Sequence, residues 1–259
     1  MVISFGPAGL GPVKEVVKNL EEYSKKGIKA CEISFTYGVY IKKEEDIKAI
    51  RDAAKKFGIR LSIHSQYWVN LNSAEKEKIE MSKKRILSCC EVGEKLGVER
   101  VVFHPGYYGK CSREEAYENI KKAVQEIVDE IKRKKWKIKI CAETMGKINV
   151  FGSAEEILKL VEETGCDFCL DFAHLKARSI GKMQYKEMVE KFKKHKNWHC
   201  HFSGIVYGDK GERHHIPTPP KEIKDLLKAL EEVKGHDIVI VNESPSPVED
   251  SVKSLKMKK

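Results

Sequence analysis

The chain of 259 residues is long enough to bury a sizeable core, and its 41% of apolar residues excludes a disordered polymer. Charged residues make up 34%, no apolar run approaches the roughly 20 residues of a membrane span, and the start of the chain lacks signal-peptide features, so we expect a cytoplasmic protein with no membrane partner. The net charge of +10 permits a polyanionic partner without identifying one.

Short apolar runs alternate with amphipathic, charged segments eight times along the chain. The runs are too short for typical helices and are rich in β-branched and aromatic residues, which predicts buried parallel strands. These predicted strands cover residues 2–7, 29–36, 60–67, 100–106, 137–144, 167–173, 198–205 and 237–244.

The segments between the runs predict helices over residues 12–26, 44–57, 74–96, 114–135, 154–164, 184–196, 221–233 and 247–259. Ser73, Ser112 and Ser153 precede three of these helices and have a Glu within three residues downstream, which is a capping signal. Several helices are followed by Gly, the residue that most often ends a helix.

Eight strand–helix units in about 250 residues predict an α/β fold, a single (β/α)8 TIM barrel that forms one domain over residues 1–259. An open doubly wound sheet is the alternative. The turn after the first strand, 6–11, does not match the Gly-rich phosphate fingerprint of such sheets, and we therefore favour the barrel.

Six consecutive predicted strands, the third to the eighth, end in His, Asp or Glu. In a (β/α)8 barrel these ends meet at the face that carries function. Charged side chains flanked by apolar residues are costly to bury unless they are paired or bind metal, and six of them at equivalent positions are hard to explain by packing. The strand ends supply His64, His104, Glu143, Asp171, His174, His201 and Glu243, and the long loop after the seventh strand adds Glu212 and His214.

Imidazole and carboxylate ligands without a required thiolate suit Zn²⁺, with Mn²⁺ or Fe²⁺ as further possibilities. The set exceeds what one ion can use, and carboxylates can bridge ions, so we predict two or three metals. Such centres activate water and stabilise phosphoryl displacement. Cys166 and Cys169 form a single CxxC with no second, and we interpret both as packing thiols.

At these positions the sequence resembles the endonuclease IV family, the zinc-dependent apurinic/apyrimidinic (AP) endonucleases. Glu212 stands where that family usually has Asp, and Ser203-Gly204 replaces an Asn-Asp. The matching motifs are His64 followed by Tyr67 and by Asn70-Leu71, His104-Pro105-Gly106, Glu143-Thr144 followed by Gly146, Asp171-x-x-His174, His201, Glu212-Arg213-His214, and Glu243.

The resemblance implies about three Zn²⁺ ions, for which Mn²⁺ could substitute. One would sit on His64, His104 and Glu143, the second on Glu143, Asp171, His201 and Glu243, and the third on His174, Glu212 and His214. Glu143 would be the catalytic residue. The implied partner of a monomeric enzyme is damaged double-stranded DNA. A hydroxide activated by the ions would cleave the phosphodiester 5′ to an abasic site, leaving a 3′-hydroxyl and a 5′-deoxyribose phosphate.

Aromatic and basic residues of the strand-to-helix loops are candidates for DNA binding. They are Tyr37, Tyr40, Tyr67, Trp68, Lys110, Lys147, Arg178 and Arg213. The densest basic runs, such as 132–135, fall at helix C-termini, where cations complement the helix dipole. In the predicted barrel those ends lie on the face opposite the metal ligands, so we expect the run 132–135 to play no part in DNA contact.

The nearest alternative is a sugar isomerase or epimerase of the xylose-isomerase-like barrels. These hold one metal with a Glu, Asp, His, Glu quartet, which Glu143, Asp171, His201 and Glu243 would satisfy. The further ligands favour the nuclease. A catalytically silent nucleic-acid-binding barrel is a third hypothesis, against which the complete ligand set argues. His199 has two interpretations, as a residue that supports a metal ligand or as one that forms a hydrogen bond inside the barrel. His215 follows a predicted ligand in the sequence and is a candidate for contact with phosphate.

Overall fold

The computed structural model describes residues 2–258, and the predicted domain ends Met1 and Lys259 lie outside them. The strands are β1 (Val2–Pro7), β2 (Ala30–Ser34), β3 (Arg60–His64), β4 (Arg100–Phe103), β5 (Lys139–Glu143), β6 (Asp167–Asp171), β7 (Asn197–Phe202), β8 (Gly204–Gly208), β9 (Gly211–Ile216) and β10 (Asp237–Asn242). Eight of them form one parallel sheet in the order β1-β10-β7-β6-β5-β4-β3-β2, and β8 and β9 form a separate antiparallel hairpin. The predicted α/β barrel is confirmed.

The sheet closes where β1 meets β2, at a seam with few hydrogen bonds. Lys29 donates its backbone N–H to Phe5, and Gly9 donates to Glu32. Gly6 makes this approach possible, because a Cβ at that position would lie 1.7 Å from the carbonyl oxygen of Ala30. The absence of a side chain therefore brings the first and last strands of the sheet order together.

Helices cover the outside of the sheet and bury their apolar faces against it. They are α1 (Val16–Lys25), α2 (Glu44–Phe57), α3 (Lys76–Leu96), α4 (Arg113–Arg133), α5 (Ala154–Thr164), α6 (Phe172–Arg178), α7 (Tyr185–Phe192), α8 (Pro220–Leu230) and α9 (Pro247–Lys258). Within the described residues, none of them is long and apolar enough to cross a membrane.

The capping predictions hold at two of three helices. The hydroxyls of Ser112 and Ser153 accept hydrogen bonds from the backbone N–H groups three residues on, and Ser153 forms a complete capping box. The prediction at Ser73 is wrong, because α3 begins three residues later and the hydroxyl of Ser73 accepts instead from the N–H of Glu75.

Two elements of the chain differ from the prediction. The seventh strand ends at Phe202, and the residues predicted to extend it enter the hairpin β8–β9. Helix α6 starts directly after β6, where the side chain of Asp171 accepts from the N–H of His174 and caps the helix. Its first residues are apolar and buried, so the sequence pattern there is the same as that of a strand.

The interior of the barrel carries polar layers that the strand alternation creates. On β7, His199 and His201 are both buried, and the intervening Cys200 belongs to the hydrophobic layer under the helices. Near the opposite end of the barrel, Arg100 pairs with Asp167. The candidate metal ligands therefore lie next to a layer of polar side chains inside the barrel.

Candidate metal centre

Two histidines and one glutamate converge at the ends of β3, β4 and β5. The Nε2 atoms of His64 and His104 each lie 3.1 Å from Oε2 of Glu143, which is fully buried. One donor atom from each residue lies within 4.8 Å of the others, so this group could hold a metal ion.

A second group lies on the other oxygen of Glu143. The Nδ1 atom of His201 is 3.4 Å from Oε1 of Glu143 and 3.4 Å from Oε2 of Glu243, and Asp171 completes the set. These separations are longer than hydrogen bonds and match the roughly 3.3 Å edge between ligands of a tetrahedral Zn²⁺ ion. Glu143 therefore belongs to two groups and could bridge two ions.

The third group consists of His174, Glu212 and His215. Nε2 of His174 lies 3.5 Å from Oε2 of Glu212, and Nε2 of His215 lies 3.8 Å from Oε1 of the same residue. Gly146 makes room for this group, because a Cβ there would lie 2.7 Å from the side chain of Glu212 and 3.0 Å from that of His174.

The structure places His215 in this group, where the sequence predicts His214. A register shift in the hairpin falls between Val206 and Tyr207, whose partners are His214 and Glu212. Arg213 is the extra residue of this β-bulge, and a bulge changes which side chains share a face. Glu212 thus faces the centre together with His215, whereas His214 is exposed. The hydroxyl of Ser203 lies 2.6 Å from Nδ1 of His215 and leaves Nε2 directed at Glu212.

Buried polar atoms without a hydrogen-bond partner mark the same place. They include Oε1 of Glu143, Oδ2 of Asp171 and Nδ1 of His201. Such atoms are costly to bury alone, and each is an atom that would ligate an ion in the groups described. The donor set of imidazole and carboxylate groups fits Zn²⁺ or Mn²⁺.

Aromatic side chains stand beside the ligands at the mouth of the barrel. Tyr37 is 84% exposed and its ring lies 5.7 Å from that of Trp68 at a tilt of 55°, and the ring of Tyr67 lies 5.8 Å from that of His104. Tyr40 packs edge-to-face on Phe35 and keeps part of its ring exposed. These four residues are the predicted stacking groups, and they lie together on one side of the centre.

Three of the predicted basic residues are exposed, and the fourth is half-buried. Lys110, Lys147 and Arg213 are exposed, and Lys147 lines the cavity above the ligands. Arg178 is not available for DNA, because its guanidinium donates to the carbonyls of Lys147 and Val150 and to the hydroxyl of Tyr108. It holds the loop after β5, and we remove it from the predicted DNA-binding set.

Residues 20–258 match the family model described as xylose isomerase-like TIM barrel. The chain belongs to this family. A protein of Methanocaldococcus jannaschii, described as uncharacterized, is 35% identical over 99% of this chain and 97% of its own length. An apurinic-apyrimidinic endonuclease of Caenorhabditis elegans is 31% identical over 58% of this chain and 41% of that protein.

Solved structures of this xylose isomerase-like fold carry names from two kinds of chemistry. Endonuclease IV from Thermus thermophilus matches with a TM-score of 0.74 and 19% identity over 98% of this chain and 97% of its own. A D-psicose 3-epimerase matches with a TM-score of 0.71 and 15% identity over 99% and 100%. At such identities the likeness shows the fold alone, so the activity has to be inferred from the site.

The xylose isomerase-like barrel of this chain contains one carboxylate that the sequence interpretation missed. Glu32 on β2 is fully buried, and its oxygens lie 2.9 Å from Nε2 of His199 and from Nε2 of His201. The sequence contains a pattern that predicts this position. Side chains alternate between the two faces of a strand, so Glu32 must face the barrel interior if Cys31 and Ile33 face the helices.

The groups of the centre titrate as a charged network. Burial disfavours the charged form of Glu243, yet the nearby charge of His201 lowers its pKa to about 2. Burial opposes a charge on His64 as well, but the hydrogen bond and charge of Glu143 raise its pKa to about 9. The pKa of His174 is also raised, by Asp171 and Glu143, against the effect of burial. In the metal-free state these histidines therefore carry protons that a metal ion must displace.

We expect metal affinity to rise with pH up to about 9, because each proton displaced from a histidine contributes about tenfold per pH unit below its pKa. Competition with a chelator across this range, with Zn²⁺ as the ion, measures the slope. Proton release on binding, measured by calorimetry in buffers of different ionisation enthalpy, should give the same number. An affinity independent of pH would contradict protonated histidines in the metal-free centre.

Replacing His215 should remove one metal ion, and replacing His214 should not. His215→Ala takes away a donor of the third group, whereas the exposed His214→Ala removes the same ring from the neighbouring position. Elemental analysis of the zinc-loaded variants measures the difference. Loss of the ion from His214→Ala with retention in His215→Ala would restore the sequence-based assignment.

Proposed function

We propose that this protein is a metal-dependent endonuclease that cleaves the phosphodiester 5′ to an abasic site in duplex DNA. The observation that carries this proposal is the third ligand group, His174, Glu212 and His215, beside the two groups that share Glu143. Ions at three neighbouring sites would provide more positive charge than an enzyme needs to polarise a sugar hydroxyl. The transition state of phosphoryl displacement carries two negative charges, which such ions would stabilise. Bound ions would supply a water nucleophile at neutral pH and offset the charge of the phosphate.

The protein's own residues would hold the substrate in place. A cavity of about 320 Å³ lies over the ligands, between Tyr67, Tyr107 and Lys147. This volume is at the small end of ligand pockets, which suits a sugar phosphate that has lost its base. Extruding such a nucleotide costs little, because there is no stacking to break. The exposed rings of Tyr37 and Trp68 offer surfaces on which neighbouring bases can stack.

A sugar epimerase remains the second candidate, favoured by one observation. Glu143, Asp171, His201 and Glu243 alone form a compact group of the kind a single-metal barrel enzyme uses. This interpretation leaves His64, His104 and the third group without a role. The hairpin β8–β9, which supplies Glu212 and His215, would also have no function in it. We therefore place the endonuclease first.

The zinc-loaded protein should nick an end-labelled duplex that contains one tetrahydrofuran site, 5′ to that site. Glu143→Gln should lower the rate by more than about 100-fold, because loss of a bridging ligand exceeds the usual cost of losing an outer partner. Thermal unfolding of the variant checks that the fold persists. An intact strand at full metal occupancy would contradict the endonuclease, and conversion of D-psicose to D-fructose by the same sample would establish the epimerase.

Neutralising basic residues at the mouth of the barrel should weaken binding to abasic duplex DNA. Lys110→Gln with Lys147→Gln removes two exposed positive charges from the loops after β4 and β5, and we expect the slope of log K against log salt to fall by about 2. Lys132→Gln with Lys135→Gln removes the same charge from the C-terminal end of α4 and serves as the matched control. Equal effects of the two double variants, measured by fluorescence anisotropy, would argue against a DNA-binding surface at the mouth.

A further inference from the structure

Glu32 is a buried carboxylate with no lysine or arginine partner among residues 2–258. Its carboxylate lies on the interior of β2, and its relative exposure is 0%. Arg100, whose side chain is buried in the barrel, pairs with Asp167 and Glu99 instead. A carboxylate in this position is costly, because burial removes its water and the nearby groups that offset its charge are histidines. Its contacts therefore call for a functional reason.

The contacts of Glu32 all come from polar side chains of the barrel interior. Oε2 accepts a hydrogen bond of 2.8 Å from the hydroxyl of Ser62 and lies 2.9 Å from Nε2 of His199. Oε1 lies 2.9 Å from Nε2 of His201, a close contact whose angle is not that of a hydrogen bond, so a small rotation of the ring would be needed to align the two atoms. Ser62 and His199 are both buried and hold the carboxylate from β3 and β7. The orientation of Glu32 is thus fixed from two sides.

The other nitrogen of His201 faces the metal ligands. Nδ1 lies 3.4 Å from both Glu143 and Glu243, on the opposite edge of the ring from Glu32. A neutral imidazole has one N–H and one lone pair. If the N–H is on Nε2 and donates to Glu32, the lone pair is on Nδ1, where an ion would bind. Ligating histidines commonly have a carboxylate or carbonyl at their second nitrogen, which sets the tautomer and the ring orientation.

We propose that Glu32 is a positioning residue that sets the tautomer and ring orientation of His201 for the second metal site, with Ser62 and His199 holding Glu32 in place. This inference rests on the proposed metal centre, but it does not depend on which substrate the centre acts upon. The proposal also gives His199 a role. Nε2 of His199 binds Oε2 of Glu32, which leaves Oε1 directed at His201.

A competing arrangement is a separate buried ion on Cys169, His199 and His201, whose donor atoms also lie within 4.8 Å of one another. The positioning role is favoured because His199 already forms a hydrogen bond with Glu32 through Nε2, and Nε2 of His201 lies 2.9 Å from the other oxygen of Glu32. An ion there would have to displace these contacts. The two arrangements differ in whether a thiolate binds the metal.

The test compares Glu32→Gln with Asp167→Asn, using Co²⁺ as the probe. Gln keeps the size of Glu32 but cannot accept from both histidines with the strength of a carboxylate. Asp167→Asn removes a carboxylate from the far end of the barrel, where it pairs with Arg100 and touches none of the proposed ligands. We expect Glu32→Gln to lower the affinity for one Co²⁺ ion by about 10- to 100-fold and to change the visible absorption of that ion. Asp167→Asn should bind and absorb like the wild type.

Several outcomes overturn the inference. Wild-type affinity and absorption in Glu32→Gln would remove the positioning role. A thiolate-to-cobalt charge-transfer band that disappears in Cys169→Ser would establish the separate buried ion instead. Failure of the wild-type chain to take up Co²⁺ would refute the metal centre itself. Should Glu32→Gln not fold, Glu32→Asp keeps the charge but withdraws the oxygens from His201; a weakened ion would again support the role, and unchanged binding would overturn it.

Discussion

The carboxylate of Glu143 is the contact on which the whole centre depends. Its side chain is fully buried at the end of β5, and imidazoles from four other parts of the barrel surround its two oxygens. Such an arrangement requires β5 to lie in register between β4 and β6, since a slip of one residue would turn Glu143 toward the helices. The closed barrel supplies this rigidity, and the charged network cannot form in a flexible loop.

Solved structures of this fold include a nuclease and an epimerase by name, and in this chain the candidate ligands come partly from the barrel strands and partly from a loop. The strand ends provide His64, His104, Glu143 and Glu243, which any barrel of this register could present. The hairpin β8–β9 is an addition to the barrel, and it carries Glu212 and His215. Its position is set by the backbone N–H of Glu212, which donates to the carbonyl of Gly146, and by the loop that Arg178 holds. In this chain the hairpin therefore carries part of one candidate ligand group, and the barrel carries the other two.

Many of the lysines behind the net charge of +10 lie away from the candidate metal centre. Many lysines pair with acidic residues on their own helix, as Lys48 does with Asp52 and Lys121 with Glu118. Others stand in the last turns of α2, α4 and α9, at the end of the barrel away from the ligands. These charges favour long-range attraction of a polyanion. Among the basic side chains, Lys147 lines the cavity at the candidate centre, and its part in DNA recognition is our proposal.

The sequence by itself determined the barrel and the candidate ligands at the strand ends, because apolar runs of strand length and the position of a polar residue just after them are local properties of the chain. Tertiary structure decided the rest. The β-bulge places His215 rather than His214 on the same face as Glu212, and the guanidinium of Arg178 donates to carbonyls of a neighbouring loop. The barrel interior gave Glu32 its partners from β3 and β7, strands that are distant in sequence. Each of these outcomes depends on which face a side chain presents to a distant segment, and no periodicity along the chain records that choice.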